Sequence, residues 1–521
     1  MIRSRRNPGT RSHVRGAWIA VSAVLALAAL TGSIPAQAAG DSPPAGAPAG
    51  TDAAVQGAAP ATVVSLTFDD GNADQREAVA VMNELGLKGT FFITTGFIDN
   101  PGWFTKSDLR ALTDAGHEIG GHTVTHADLT TLTRAEATRQ VCDGRSTLAA
   151  WGFPTESFAY PFAEANAETE KIVKDCGFTS ARGLGALKTR FGCPDCAVAE
   201  KIRPADPYLT RALGKVDLAW TLSDLKSAVT EAETHHGGWV QFTFHHVCAD
   251  GCDLLSVDPG VFAQFAAWLA PRAASHNTTV KTVADVVGGP VRPVVSPDAT
   301  VAPAPGPGVN GVADHELEQV GADGRPRCWS VDAFGTNEWT YDTVTAAHSG
   351  RAAGRLTMTG RRTGAVRLLP TFDLGECAPT IVPGRRYSLR AWYTSTARTQ
   401  FDVFLRDAVG GWRYWTSSPF QPASAEFTRA VWKTAAIPPG ATGISFGLIL
   451  GADGTLVVDD YALYDSVGAP SLTDPTGNVV LVSVFVPAAL GTIVLIVFAA
   501  PRAGKVRGGR AGLPRGRSGR H

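Results

Sequence analysis

The fold and the chemistry of this chain are decided by the stretch VVSLTFDDG, residues 63–71. Its apolar, β-branched first half predicts a buried strand, and the strand ends in two adjacent carboxylates, Asp69 and Asp70. Two histidines at i and i+4, His122 and His126, follow later in the chain. Together these groups offer one acid and two imidazoles to a metal, and they leave a second acid free as a base. A metal-dependent hydrolase is therefore the leading hypothesis.

Short apolar runs alternate with amphipathic segments across residues 62–288. Strands that alternate with helices predict an α/β domain with a parallel sheet, curled into a barrel. In such folds the chemistry collects at the carboxyl ends of the strands. The acids at 69 and 70, His122 and His245 all stand at such ends.

Two helix starts are predicted from capping patterns. Ser107 is the expected N-cap of a helix over residues 107–115. The sequence Thr133-Arg-Ala-Glu136 is a capping-box pattern, and it predicts a helix that runs to about Ala150.

A hydrolase also needs a proton donor for the leaving group. The late apolar strand that ends at Phe244 is followed by His245 and His246. We predict that His245 is the general acid and that His246 orients it or stays structural, and the reverse assignment remains open. The alternative for the whole set is that the carboxylates cap a helix and the histidines lie on the surface.

A second domain follows a proline-rich linker at residues 289–312. Residues 313–466 consist of short β-rich runs between Gly and Pro turns, which predicts an antiparallel β-sandwich. Trp412 and Trp415 suggest sugar binding by this domain, although such aromatic residues more often fill sandwich cores. The acids of Val458-Asp-Asp-Tyr461 suggest a calcium site, because they resemble the closing strand of carbohydrate-binding sandwiches.

The two ends of the chain predict export and a membrane anchor. Residues 1–38 have the basic, apolar and small-residue order of a signal peptide, although a first membrane anchor is an alternative, and residues 39–61 form a flexible spacer. Residues 478–500 carry no charge and precede the basic residues 501–521, which predicts a transmembrane helix with a cytoplasmic tail. Both folded domains are then expected outside the cell membrane.

Composition narrows the partners and the compartment. The 521 residues include 47 basic and 48 acidic ones, for a formal net charge of −1. No folded segment carries a basic stripe, so nucleic acid is not an expected partner. In an exported chain the eight cysteines are expected as disulfides, grouped as Cys142/Cys176, Cys193/Cys196, Cys248/Cys252 and Cys328/Cys377. A redox or zinc role for the CxxC at 193–196 is the weaker alternative.

Four motifs resemble the polysaccharide deacetylases of carbohydrate esterase family 4: Thr67-Phe-Asp-Asp-Gly71, His122-Thr-Val-Thr-His126, Tyr160-Pro-Phe162 and Phe244-His-His246. The resemblance covers residues 62–287. It implies a distorted (β/α) barrel and metal-dependent removal of N-acetyl groups from a GlcNAc-containing polymer. The expected location outside the membrane, and not the resemblance, suggests a cell-wall or capsule glycan as the substrate.

The resemblance also implies a role for each matched residue. Asp69 is the base, His245 is the acid, and the amide of Phe162 lies near the oxyanion. The ligands of a divalent ion, zinc or cobalt, are Asp70, His122 and His126. The substrate is flanked by Tyr160, Pro161 and His246.

The sequence departs from the family pattern at three positions. Many members carry an arginine two residues before the proline, thought to steer the base, and here that residue is Ala159. Ala163 replaces a usual glycine, and His246 stands where an aspartate is frequent. Two alternatives therefore remain: an esterase that removes O-acetyl groups, for example from xylan, and a non-catalytic surface lectin. The oligomeric state is open.

Overall fold

The computed structural model describes residues 61–249, 252–295, 301, 303–321 and 324–470. The predicted signal peptide, transmembrane helix and basic tail lie outside these residues, as does the spacer up to residue 60. In the part of the chain that the structure describes, every helix is too short or too polar to span a bilayer.

The first domain is built on a seven-stranded sheet in the order β5-β4-β3-β2-β1-β6, with β9 also beside β1. All its ladders are parallel. The predicted parallel α/β fold is thus confirmed as a curled half-barrel. Its strands are β1 (Thr62–Phe68), β2 (Gly89–Ile93), β3 (Glu118–Gly121), β4 (Ser157–Ala159), β5 (Ser180–Arg182), β6 (Gly238–Phe244) and β9 (Thr278–Val280); the short β7 (His246–Val247) and β8 (Ser256–Val257) pair with each other.

A loop bridges the two edge strands of this sheet. Thr210 pairs with Arg182 at the end of β5, and the amide of Leu213 donates to the carbonyl of Gln241 in β6 (3.2 Å). The loop therefore takes the place of a strand between β5 and β6 and covers the side of the half-barrel near the carboxyl ends.

Helices cover the sheet, and their starts follow local capping chemistry. They are α1 (Arg76–Glu84), α2 (Lys106–Asp114), α3 (Arg134–Ala150), α4 (Ala167–Asp175), α5 (Leu222–Thr234), α6 (Pro259–Leu269), α7 (Arg272–His276) and α8 (Val283–Val287). The prediction that Ser107 caps α2 is wrong. Thr105 is the N-cap, because its hydroxyl and the Asp108 carboxylate satisfy each other's backbone amides in a capping box.

The capping box predicted for α3 forms only by half. The hydroxyl of Thr133 accepts from the amide of Glu136, as predicted (3.3 Å). The Glu136 carboxylate does not turn back to the N-cap, because it binds Arg139, Gln140 and the amide of Leu374 instead.

The second domain consists of two five-stranded antiparallel sheets, in the orders β10-β13-β18-β15-β16 and β11-β12-β19-β14-β17. Inner-face residues of both sheets, such as Leu389 and Phe446, share one buried core. This is the predicted sandwich. Its strands are β10 (Trp329–Phe334), β11 (Glu338–Val344), β12 (Ala353–Thr359), β13 (Ala365–Pro370), β14 (Tyr387–Ser395), β15 (Phe401–Arg406), β16 (Trp412–Ser417), β17 (Ser424–Lys433), β18 (Gly443–Leu450) and β19 (Gly454–Asp465).

Disulfides link all eight cysteines in the grouping that the sequence suggested. The bond between Cys142 and Cys176 ties α3 to the end of α4. Cys328 and Cys377 join two loops of the sandwich. A metal site at the CxxC of residues 193–196 is not favoured, because its two cysteines bond to each other; a redox role for the pair stays a prediction.

Candidate active site

The predicted site residues come together at the carboxyl ends of three strands of the sheet, β1, β3 and β6. Asp69 directly follows β1, His122 follows β3 and His245 follows β6. β1 lies between β2 and β6, and β3 lies next to β2. Since parallel strands end at the same edge of a sheet, the three side chains lie at one edge of the half-barrel.

Asp70, His122 and His126 converge on one point. The Oδ1 atom of Asp70 lies 3.4 Å from Nε2 of His122 and 3.3 Å from Nε2 of His126. Asp70 and His126 both have left-handed backbones, with φ of 75° and 57°. Such conformations are costly for residues other than glycine and are kept where a site requires them. Here they turn the side chains towards one another.

The donor set of these three residues fits a divalent cation. The Nδ1 atom of His122 lies 2.8 Å from the carbonyl oxygen of Ala159, which can only accept, so in the neutral ring Nε2 offers a lone pair. Oδ1 of Asp70 is buried and has no hydrogen-bond partner within the described part of the chain. A cation satisfies these facing lone pairs, and a backbone carbonyl on the second ring nitrogen is a usual way to orient a metal-binding histidine. A possible metal site is therefore present.

Electrostatics favour the charge states that a metal needs at Asp70 and His126. At His122 burial alone would lower the pKa, but the adjacent carboxylates of Asp70 and Asp69 raise it, so a cation has to compete with a proton there. Burial alone would raise the pKa of Asp70, but the adjacent His122 and His126 hold it well below its usual range. Burial lowers the pKa of His126 to about 4, with His122 as a further cause. An ionised carboxylate beside a neutral imidazole is ready to bind a cation at neutral pH.

Asp69 is held apart from this cluster by a buried arginine. One amino group of Arg182 (Nη2) donates to both carboxylate oxygens of Asp69, at 2.7 and 2.6 Å. The other (Nη1) donates to the hydroxyl of Thr243 (2.7 Å). Arg182 and Asp69 are 1 % and 3 % exposed, so this ion pair is strong and fixed in direction. Asp69 is thus oriented without being consumed as a ligand.

Arg182 is the functional residue that sequence reasoning missed. It stands directly opposite Ala159 in the parallel register of β4 and β5, and Ala159 occupies the position where related sequences carry their arginine. The guanidinium therefore reaches Asp69 from the neighbouring strand. A signal was visible, because an arginine in a strand expected to be buried requires a charged partner.

The two histidines after β6 have different surroundings. Nε2 of His245 lies 4.0 Å from the Asp69 carboxylate, and its Nδ1 atom has no hydrogen-bond partner among the described residues. Burial lowers the pKa of His245, and the nearby acids oppose this effect. His246 turns to Asp74 instead, with Nδ1 2.7 Å from the carboxylate, which raises the pKa of His246.

The loop with Tyr160, Pro161 and Phe162 lines the same edge. Phe162 has a φ of 57° and is 63 % exposed, and its ring packs 4.6 Å from the His126 ring. Tyr160 is buried, and its hydroxyl donates to the carbonyl of Tyr208 (2.9 Å). Its contact with substrate stays a prediction, and the same holds for Pro161 and for the oxyanion role of the Phe162 amide.

The aromatic residues of the sandwich are only partly available. The indole of Trp412 donates to the carbonyl of Asp373 (3.1 Å) and its ring stacks on Phe372. Trp415 packs against the sandwich core, and with Tyr414 it lines a groove of about 250 Å³. Sugar binding by Trp412 and Trp415 stays a prediction.

A second group of possible ligands lies in the sandwich, where the sequence suggested calcium. Asp460, His315 and Glu316 offer ligand atoms within 4.8 Å of one another. Asp460 is already bound by His348 and Ser349. The neighbouring Asp459 accepts three backbone amides, so calcium binding here stays a prediction.

Comparison with known proteins supports the assignment of the first domain. The family model for polysaccharide deacetylase matches residues 56–181. YxkH of Bacillus subtilis (strain 168), whose name puts it among the polysaccharide deacetylases, is 27% identical over 117 residues, which are 22% of this chain and 42% of that protein. A chitin deacetylase of a Pestalotiopsis species is 39% identical over 82 residues, which are 15% of this chain and 26% of that protein. The chain spans less than half the length of these curated relatives.

One solved structure that this chain resembles is the family 4 acetyl xylan esterase of Clostridium thermocellum in complex with a cobalt ion. The match covers 43% of this chain and 90% of that one, with 15% sequence identity and a TM-score of 0.31. The family model thus confirms the resemblance that the motifs indicated: residues 56–181 match a polysaccharide deacetylase domain, which is a hydrolase domain.

Proposed function

We propose that this protein is a divalent-metal-dependent deacetylase that removes N-acetyl groups from a GlcNAc-containing polysaccharide at the cell surface. The observation that carries the proposal is the pairing of two adjacent acids with different surroundings. Asp70 lies with His122 and His126 in a possible metal site. Asp69 forms an ion pair with Arg182 and is not part of that site.

The chain's own groups can divide the chemistry between them. A divalent cation held by the three predicted ligands would polarise an acyl oxygen and make water a nucleophile at neutral pH. Asp69, which is paired with Arg182, accepts the proton of the attacking water. His245 stands 4.0 Å from Asp69 and donates a proton to the departing amine. A base and an acid beside one metal site are what amide hydrolysis requires.

Removal of the metal should abolish this activity. We expect chelator-treated, dialysed protein to release acetate from N-acetylated chito-oligosaccharides at least about 100-fold more slowly, because Lewis-acid activation is worth several kcal/mol. Adding zinc or cobalt should restore the rate, with one ion bound per chain by elemental analysis. Metal-free protein that keeps its full rate would contradict the proposal.

The substrates in this assay separate the alternatives. N-acetylated peptidoglycan fragments and poly-GlcNAc are compared with O-acetylated xylan at equal acetyl concentration. Acetate from xylan alone would replace the N-acetyl assignment with the esterase one. Binding of sugar without release of acetate from any polymer would favour a lectin.

A location on the outer face of the membrane is part of the proposal. It is supported by the order of residues 1–38, by the uncharged residues 478–500 and by four disulfides, which suit an oxidising compartment. Protease added to intact cells should cleave both folded domains and leave a small membrane-bound fragment. Protection of both domains in intact cells, with cleavage after lysis, would contradict it.

A further inference from the structure

The β-sandwich is bonded to the first turn of helix α3 of the barrel. The hydroxyl of Thr133 donates to the Glu376 carboxylate (2.7 Å). The amide of Leu374 donates to Oε1 of Glu136 (2.8 Å). Both partners of the second bond are buried, and a buried carboxylate without such donors is costly. The two domains are therefore joined by more than the linker.

Glu136 also binds side chains of its own helix, α3. Its Oε1 atom also accepts from the Gln140 side chain (3.1 Å), and Oε2 accepts from Arg139 (2.7 Å). Glu136 and Gln140 are both 0 % exposed. The position of the Gln140 amide group is thus set from the sandwich side, through the carboxylate that Leu374 also binds.

Gln140 in turn holds the loop between the two histidine ligands. Its Oε1 atom accepts from the amides of Val124 (3.2 Å) and Thr125 (3.0 Å). Its Nε2 atom donates to the Thr125 hydroxyl (2.9 Å). A side chain that satisfies two consecutive amides, one buried and one part-buried, fixes the path of the backbone. That path determines where His126 points.

The β15–β16 hairpin of the sandwich also contacts this loop. Gly410, in the turn between β15 and β16, has a φ of 89°. A Cβ atom added there would lie 2.7 Å from Cγ1 of Val124 and 2.7 Å from Cδ2 of Leu374. A side chain at position 410 would therefore have to displace Val124 of the His122–His126 loop or Leu374.

The sandwich side of this contact is itself rigidly held. The carbonyl of Asp373 accepts from the Arg406 guanidinium (3.0 Å) and from the indole of Trp412 (3.1 Å). These bonds shape the turn that presents the Leu374 amide. Trp412, which the sequence suggested for sugar binding, therefore contributes to the domain contact.

We infer that the β-sandwich positions the metal site, with Glu136 and Gln140 as positioning residues. This inference rests on the proposed function, because it assigns a role in the same metal site. A chain of hydrogen bonds connects the Leu374 amide through Glu136 and Gln140 to the backbone at 124–125. The Gly410 turn contacts the Val124 side chain of the same loop directly.

The test measures binding of Co²⁺ to the full, metal-free protein by visible absorption. Gln140→Leu keeps the volume of the side chain and removes the acceptor for both amides. Gly410→Leu forces the hairpin off Val124. We expect each variant to bind Co²⁺ about 10–100-fold more weakly, the range found when partners of metal ligands are removed. Saturating Co²⁺ should restore most of kcat with KM unchanged, because the base and the acid are intact.

Gly440→Leu is the matched control for the hairpin variant. Gly440 has a φ of 84°, and a Cβ there meets nothing within 4 Å. It shares the backbone strain of Gly410 without the contact, so its Co²⁺ affinity should equal that of the wild type. If Gly410→Leu does not fold by circular dichroism, Gly410→Ala takes its place.

The outcomes separate this inference from the proposed function. Wild-type protein that binds no Co²⁺ overturns both. If the wild type binds Co²⁺ and the folded Gln140 and Gly410 variants bind it with the same affinity, the role of the sandwich is overturned and the proposed function is not. A Gly440 variant as weak as the Gly410 variant also overturns it, because backbone strain would then explain the loss.

Discussion

Asp69→Asn should lower kcat for acetate release by about 10³-fold and leave Co²⁺ affinity within twofold of the wild type. Asparagine has the shape of aspartate but cannot accept a proton from water, and a positioned general base contributes about 10²–10⁴-fold. The metal site should be unaffected, because the Asp69 carboxylate is bound by Arg182 and not by the ligand cluster. Initial rates and Co²⁺ titrations on the same preparation check both expectations.

The adjacent residue provides the contrasting variant. Asp70→Asn should lose Co²⁺ affinity and activity together, because Oδ1 of Asp70 is the atom that faces both imidazoles. Two neighbouring substitutions of the same type then give opposite results for metal binding. If Asp69→Asn also loses Co²⁺, or if it keeps more than a tenth of kcat, Asp69 is not the base.

The motifs predicted the ligand cluster because its members stand within or just after strands of one sheet. Strand ends can be read from apolar runs, and the parallel sheet brings Asp70 and His122 to one edge. The ligand spacing at 122 and 126 lies within one short loop, so it needs no knowledge of distant packing.

Longer-range contacts could not be predicted in the same way. Arg182 serves Asp69 from β5, and only the register of β4 and β5 places it opposite Ala159. Glu136 matched a local capping pattern, yet it binds Leu374 of another domain, because a buried amide competes for its carboxylate. Thr105 caps α2 in place of the predicted Ser107. The intrinsic N-cap preferences of Ser and Thr do not decide which of the two residues begins the helix.

The second large effect on kcat is expected at Arg182. This residue is the register partner of Ala159, where the sequence departs from the family pattern. Arg182→Ala removes the only cation that contacts the Asp69 carboxylate in the described residues. An uncompensated buried carboxylate costs about 3–5 kcal/mol, so the variant should be less stable in denaturant titrations. Its kcat should fall by about 10²-fold, since the base is no longer oriented.

The split between kcat and KM separates a positioning role of Arg182 from a merely structural one. If the guanidinium orients the base, kcat per folded Arg182→Ala molecule should fall while KM and Co²⁺ affinity stay near the wild-type values. A merely structural role would lower the folded fraction and leave kcat per folded molecule unchanged.

Returning the arginine to the neighbouring strand should rescue the enzyme in part. Ala159 and Arg182 are register partners on β4 and β5, so the space that Arg182→Ala vacates adjoins the Ala159 side chain. The double variant Ala159→Arg/Arg182→Ala should therefore recover at least about tenfold in kcat over Arg182→Ala, because one charge-assisted bond is worth about 1.5–3 kcal/mol. Ala159→Arg alone should not help, because Arg182 still fills that space. If the double variant folds but its kcat stays at the level of Arg182→Ala, the guanidinium does not act through Asp69, and the departure at Ala159 is not compensated by Arg182.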